Sequence, residues 1–190
     1  FLETLGGAKF FLDLSSAVAG HRKGGPAQVA VISSAAMGTI SGSAVANVVT
    51  TGTFTIPLMK SLGYQPAFAG AVEAVASTGG QIMPPVMGAA AFIMAEFLGI
   101  QYVKIALCAV LPALVHFFAV GWMVHLEAKQ TGLLGLPRDM LPNVRLVLKE
   151  RWLLVGPLVI IVYLLVTGSS PFLAAFWGII FATATGQVHD

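Results

Sequence analysis

Apolar residues fill this chain in long blocks, and several of the polar residues that interrupt them fall inside the blocks. Phe10, Phe11, Leu14 and Val18 share one helical face with Lys9, Asp13 and Ser16 off it, which predicts an interfacial helix or the end of a preceding span over 1–25. His21-Arg22-Lys23-Gly24-Gly25 then ends it in water. From Pro26 to Met59 runs a block of about 34 residues, roughly 50 Å as one helix, against a hydrocarbon core of about 30 Å. Split at Gly38 to Ser43, it becomes two arms of about 14 residues, each roughly 20 Å and too short to cross, which predicts a re-entrant hairpin over 26–60.

Ala67 to Leu98 is apolar but interrupted at Gly79-Gly80 and Pro84-Pro85, and predicts a discontinuous transmembrane helix over 66–99. Tyr102 to Leu126 predicts a plain span over 102–127, and Glu127 to Arg151 a charged linker over 128–151 on the cytoplasmic side. Trp152 to Thr167 and Phe172 to Gly186, joined by Gly168-Ser169-Ser170-Pro171, predict two more apolar helices in 152–190. The pattern is that of an all-α polytopic membrane protein.

Charge sets the orientation. Basic residues gather at Arg22 and Lys23, at Lys60, and at Lys129, Arg138, Arg145, Lys149 and Arg151, with only Lys104 at the opposite turn. All three clusters share the cytoplasmic side if Pro26 to Met59 crosses an even number of times, and the arm lengths favour the hairpin over two full spans. The composition, 57% hydrophobic and 9% charged, stands against roughly 25% charged in a soluble domain. A net charge of +2, with no basic run interleaved with aromatics, gives nucleic acid nothing to bind. Cys108 reads as a small buried hydrophobe, and the start at Phe1 and the stop soon after Gly186 suggest a piece of a longer polytopic protein.

The two breaks carry the candidate chemistry. In hydrocarbon an unpaired backbone amide costs several kcal/mol, so helices interrupt at membrane depth only where they line a protected cavity. Ser41, Gly42 and Ser43, with Asn47 one turn on, offer hydroxyls and carbonyls to a hard cation such as sodium, and a helix N-terminus to a carboxylate. Close packing of small residues is the competing reading. Ser77, Thr78, Gly79 and Gly80 open the second break; Gln81, Pro84 and Pro85 follow, and the prolines remove two amide donors and so free carbonyls.

Glu73 lies on one helical face with Ser77 and Gly80, and an ionisable group at that depth is a candidate cation ligand or proton carrier. Thr50, Thr51, Thr53 and Thr55 line the second arm, facing substrate or bonding back to their own helix. His116 and His125 do not share a face, and no set of side chains has metal-ligand spacing, so sodium is the one metal expected. No phosphate-cradling Lys-Ser/Thr loop occurs, so energy comes from an ion gradient or another subunit.

The runs GTISGSAVANVVTTGTFTIPLMKSLGY, Gly38 to Tyr64, and EAVASTGGQIMPPVMGAAAFIMAEFLG, Glu73 to Gly99, resemble the large membrane subunit of the tripartite ATP-independent periplasmic (TRAP) transporters, most of all the fused permeases that work with TAXI-type binding proteins. The likeness is dense from Phe1 to Pro142. It implies a sodium-driven importer of small organic anions in the bacterial or archaeal cytoplasmic membrane, fed by a periplasmic substrate-binding protein and working as an elevator. It also implies inverted repeats, of which one copy is present, the second sodium site and the rest of the substrate pocket lying elsewhere. No Lys or Arg occurs between Lys23 and Lys60, so a carboxylate held here meets helix N-termini, hydroxyls and Asn47. An accessory membrane subunit without its own ion site is the alternative; an intramembrane enzyme lacks a nucleophile and base.

Overall fold

A computed structural model describes residues 7–133, 135–137, 141–144, 147, 149 and 156–186. Arg138, Arg145 and Arg151 of the third basic cluster, Trp152 at the expected helix start, and the ends of the chain lie outside those residues. Eight α-helices are described, in the order α1 Gly7–Ala19, α2 Gly25–Ser41, α3 Ala44–Ser61, α4 Pro66–Gly79, α5 Ala89–Leu98, α6 Tyr102–Thr131, α7 Gly156–Val166 and α8 Pro171–Gly186, and no strand is found among the described residues.

The first break is much narrower than the sequence predicts. Gly38 to Ser41 remain helical and only Gly42 and Ser43 turn, so the arms are 17 and 18 residues, about 26 and 27 Å. Gly42 takes the left-handed φ of 58° that ends α2, and Ser43 caps α3 by accepting from the Ala46 amide at 3.3 Å. Gly38 serves close packing instead: a Cβ there would lie 2.4 Å from the Gly80 Cα, so the two backbones touch.

The second break is wider. α4 ends at Gly79 and α5 begins at Ala89, with turns over 80–88. Met87 in this stretch has a φ of 54°, which costs a non-glycine residue about 1 kcal/mol or more. The break is anchored from both sides. Tyr102, at the start of α6, brings its hydroxyl within reach of the Pro85 and Val86 carbonyls and donates to one or the other, and the Val86 amide reaches the Thr39 carbonyl at 3.4 Å.

Cross-helix bonds give the topology. Ser34 faces Asn47 and Thr51, so α2 and α3 run antiparallel, while Ser34 to Glu73 and Gly38 to Gly80 set α4 parallel to α2. Below the polar layer, Ala27, Ala30 and Val31 of α2, Met59, Val72, Ala76 and Val124 form an apolar core that clamps the three-helix unit to α6. A second core joins Met87, Ala91, Tyr102 and Ile105 to Leu165 and Ala174 of α7 and α8.

Of the described helices, α6 alone is long and apolar enough to cross a bilayer unaided. It overruns the expected boundary at Leu126 and ends at Thr131, because nothing after Leu126 stops a helix until Gly132 takes a φ of 70°. Leu107, Leu111, Phe118 and Met123 are exposed along it. Cys108, expected to be buried, is exposed there too, since α6 packs inward chiefly through Ala113, Val124 and Ala128.

Candidate functional site

The centre of the α2–α3–α4 unit is polar. Glu73 is fully buried, and its Oε1 accepts hydrogen bonds from Ser34 at 3.2 Å, Thr51 at 2.5 Å and Ser77 at 2.9 Å, while Oε2 accepts from Thr55. Three helices thus place four hydroxyls around one carboxylate. An ionised carboxylate offers about four lone-pair sites. The hydroxyls crowd three to Oε1 and one to Oε2, and among the described residues no basic side chain pairs with Glu73. Gly52 makes room for it, because a Cβ at that position would stand 3.0 Å from the Glu73 Cγ.

Sequence periodicity predicts the face shared by Glu73 and Ser77, and the bond between them realises it. The threonines divide in a way the sequence leaves open. Thr50 bonds back to Ala46 and Thr53 to Thr50, while Thr51 and Thr55 reach both their own helix and Glu73. Each hydroxyl has one proton, so Thr51 and Thr55 donate to the carboxylate or to the Asn47 and Thr51 carbonyls, not to both at once.

One turn above, Asn47 is fully buried and donates to the Ser34 carbonyl at 2.9 Å. Its amide also abuts Gly80, where a Cβ would lie 2.9 Å from Nδ2. Asn47, Gly38 and Gly80 therefore meet at one point. Ser41 and Ser43 stay at the tip, bonded to each other through the Ser41 hydroxyl and the Ser43 backbone, and Gly42 packs on the break, a Cβ there falling 1.9 Å from the Met87 carbonyl oxygen. Thr78 turns away and bonds to Ala74, and Gln81 is exposed, its carbonyl taking the Gly88 amide at 2.7 Å.

The expected residues thus form a hydroxyl cage at Glu73 and Ser77, a backbone contact at Asn47 and Gly80, and a turn at Ser41 to Ser43. The carbonyls of Ser77, Thr78, Gly79 and Gly80 each accept one turn bond, at 3.1–3.3 Å, and keep a second lone pair. Those of Pro85 and Val86 face the Tyr102 hydroxyl. Ser34 and Tyr102 escape sequence reading. Ser34 hides in a small-residue run, and Tyr102 opens an apolar helix that looks like any other. His116 sits against α4 with Nε2 3.1 Å from the Val75 carbonyl, and the missing side chain of Gly79 admits it, since a Cβ there would lie 2.4 Å from the ring.

A short-turned helical hairpin set against an interrupted helix, with a caged carboxylate between them and an apolar 30-residue helix beside them, is an all-helical arrangement consistent with the class of helical membrane transporters. The family model for the tripartite ATP-independent periplasmic transporter, DctM component, matches residues 1–189, and the chain belongs to that family, one of transporter permeases. It is 27% identical over 155 residues to a Haemophilus influenzae protein assigned to the TRAP transporter large permeases, covering 81% of this chain and 36% of that one. It is 28% identical over 138 residues, 73% of this chain and 32% of the relative, to the C4-dicarboxylate TRAP transporter large permease protein DctM of Pseudomonas aeruginosa. The chain spans about a third of the length of these two relatives.

Proposed function

We propose that this chain is part of a permease that imports a small organic anion together with sodium, across a bacterial or archaeal cytoplasmic membrane, and that Glu73 is part of the coupling machinery. The observation that carries this reading is the buried Glu73 carboxylate, ringed by Ser34, Thr51, Thr55 and Ser77 one turn from the Gly38–Gly80 contact. A carboxylate at membrane depth with no basic partner among the described residues is costly as a bare charge, and a monovalent cation or a proton relieves that cost. Hydroxyl and carboxylate oxygens are the ligands a hard cation selects.

The sodium ion is proposed to lie beside the Ser77 to Gly80 carbonyls, with Asn47, Ser41, Gly42 and Ser43 closing the tip above it and Thr78 in the same break. Glu73 contributes charge from one turn below. The anion would meet the N-terminus of α3, with Thr50, Thr51, Gln81, Pro84 and Pro85 nearby. Two opposite charges sharing one cavity lower each other's cost, which is the origin of coupling. Support for the substrate class comes from the DctM relative, whose description names C4-dicarboxylates. A periplasmic binding protein, of the TAXI type by the sequence resemblance, would deliver the anion, and movement of the α2–α5 unit against a scaffold would carry it.

The test uses the full-length permease in proteoliposomes with its binding protein outside. Carboxylate accumulation should follow an inward sodium gradient and persist without ATP. In Glu73→Gln, which keeps the shape and one acceptor oxygen but removes the charge and turns the other oxygen into an NH2 donor, sodium-driven accumulation should fall at least tenfold. Equal accumulation with and without the sodium gradient rules out sodium coupling, and a response to a proton gradient abolished in Glu73→Gln would put a proton on Glu73 instead.

A further inference from the structure

On the side of α2 away from the Glu73 cage, α1, α2 and α6 enclose an open groove of about 820 Å³ that the transport site does not use. Its floor is apolar, built chiefly from Val18, Val31, Ile32, Leu114, Phe117 and Phe118. Its one charged end carries Arg22 and Lys23, with His125 and Trp122 across from them on α6, and no Asp or Glu lines it. Both cations are exposed. Gln28 is spent on the fold, donating to the Gly121 carbonyl at 2.6 Å and tying α2 to α6 along the groove.

The dimensions select the occupant. From Leu114 to His125 the helix rises roughly 16 Å, close to the roughly 15 Å depth of one leaflet of the hydrocarbon core. The cationic end coincides with Trp122, a residue type that gathers at the headgroup level. An elongated apolar trough one leaflet deep, positive at its interfacial end only, complements a molecule with a hydrocarbon tail and an anionic head.

We infer that this groove is a binding site for an anionic phospholipid, one acyl chain lying along Val31, Ile32 and Leu114 and the phosphate resting against Arg22 and Lys23. The lipid would fill the gap between α1 and α6 and fix their spacing beside the three-helix unit.

The experiment compares phosphatidylglycerol and phosphatidylcholine of identical chains, added to the delipidated full-length permease, by native mass spectrometry and thermal unfolding. Phosphatidylglycerol should bind about tenfold or more tightly, as two basic residues near a headgroup imply, and should raise the midpoint further. The double variant Arg22→Gln/Lys23→Gln should lose that preference while keeping the response to phosphatidylcholine. Ala35→Phe, which fills the floor without touching a charge, should weaken both lipids alike. Soluble glycerol phosphate should do nothing. Equal affinity for the two lipids, a preference intact in the double variant, or stabilisation by glycerol phosphate alone overturns the assignment; so does binding of neither lipid, the result expected if a protein segment covers the groove.

Discussion

Gly38 and Gly80 leave almost no room for change. A Cβ on Gly38 would lie 2.4 Å from the Gly80 Cα, a distance that backbone must absorb by moving. Gly38→Ala should therefore destabilise the full-length permease by about 1–3 kcal/mol, read as a lower thermal midpoint. Tyr64 works the other way. It is 4% exposed, its hydroxyl has no hydrogen-bond partner among the described residues, and burial, followed by the Glu127 carboxylate, pushes its pKa up to about 12. Tyr64→Phe removes a polar group that gains nothing from being buried, so the midpoint should hold or rise by up to about 1 kcal/mol in stability; a loss beyond that would reveal a bound water or a partner at this hydroxyl. Asn47→Ala removes the bond to the Ser34 carbonyl and the amide group packed against Gly80, loosening the contact beside the Ser77 to Gly80 carbonyls, and should raise the sodium concentration for half-maximal uptake with expression unchanged. Much of this was legible beforehand. Glu73 and Ser77 follow from helical spacing and Asn47 from its place after a glycine-rich turn, whereas Ser34 and Tyr102 act through partners distant in sequence that no local pattern reveals.

The elements show where local signals stop. The first break was visible as a glycine and serine cluster and the second as glycines followed by prolines, but glycine has two uses, to turn a chain and to let backbones touch, and sequence does not separate them. In the first cluster Gly42 turns and Gly38 packs, so α2 and α3 gain length and come close to the thickness of the hydrocarbon core. Labelling settles whether the hairpin enters and returns. Single cysteines replacing Arg22 and Lys60 in the full-length permease, with the exposed Cys108 changed to Ala, should react with an impermeant reagent from the same side of the membrane. Reaction from opposite sides would mean an odd number of crossings and a different topology.

At the scale of the molecule, α6 binds two units together. Its middle and last turns pack on the Glu73 unit through Phe117, Val120 and Val124, and its first turns hold the break and the last two helices through Tyr102 and Ile105. The sequence marks α6 as a plain span and gives no hint of this double role, because the contacts come from small differences in which turns face inward. Where Gly38 meets Gly80 there are no side chains to interlock, so the joint behaves like a smooth bearing whose setting is chosen by the fasteners on either side of it. Ser34 to Glu73 is one, at 3.2 Å, and Val86 to Thr39 is the other, at 3.4 Å and the looser of the two. Slippage at this bearing would begin on the Val86 side, swinging the tip away from Met87 while the end of the helix carrying Glu73 stays seated.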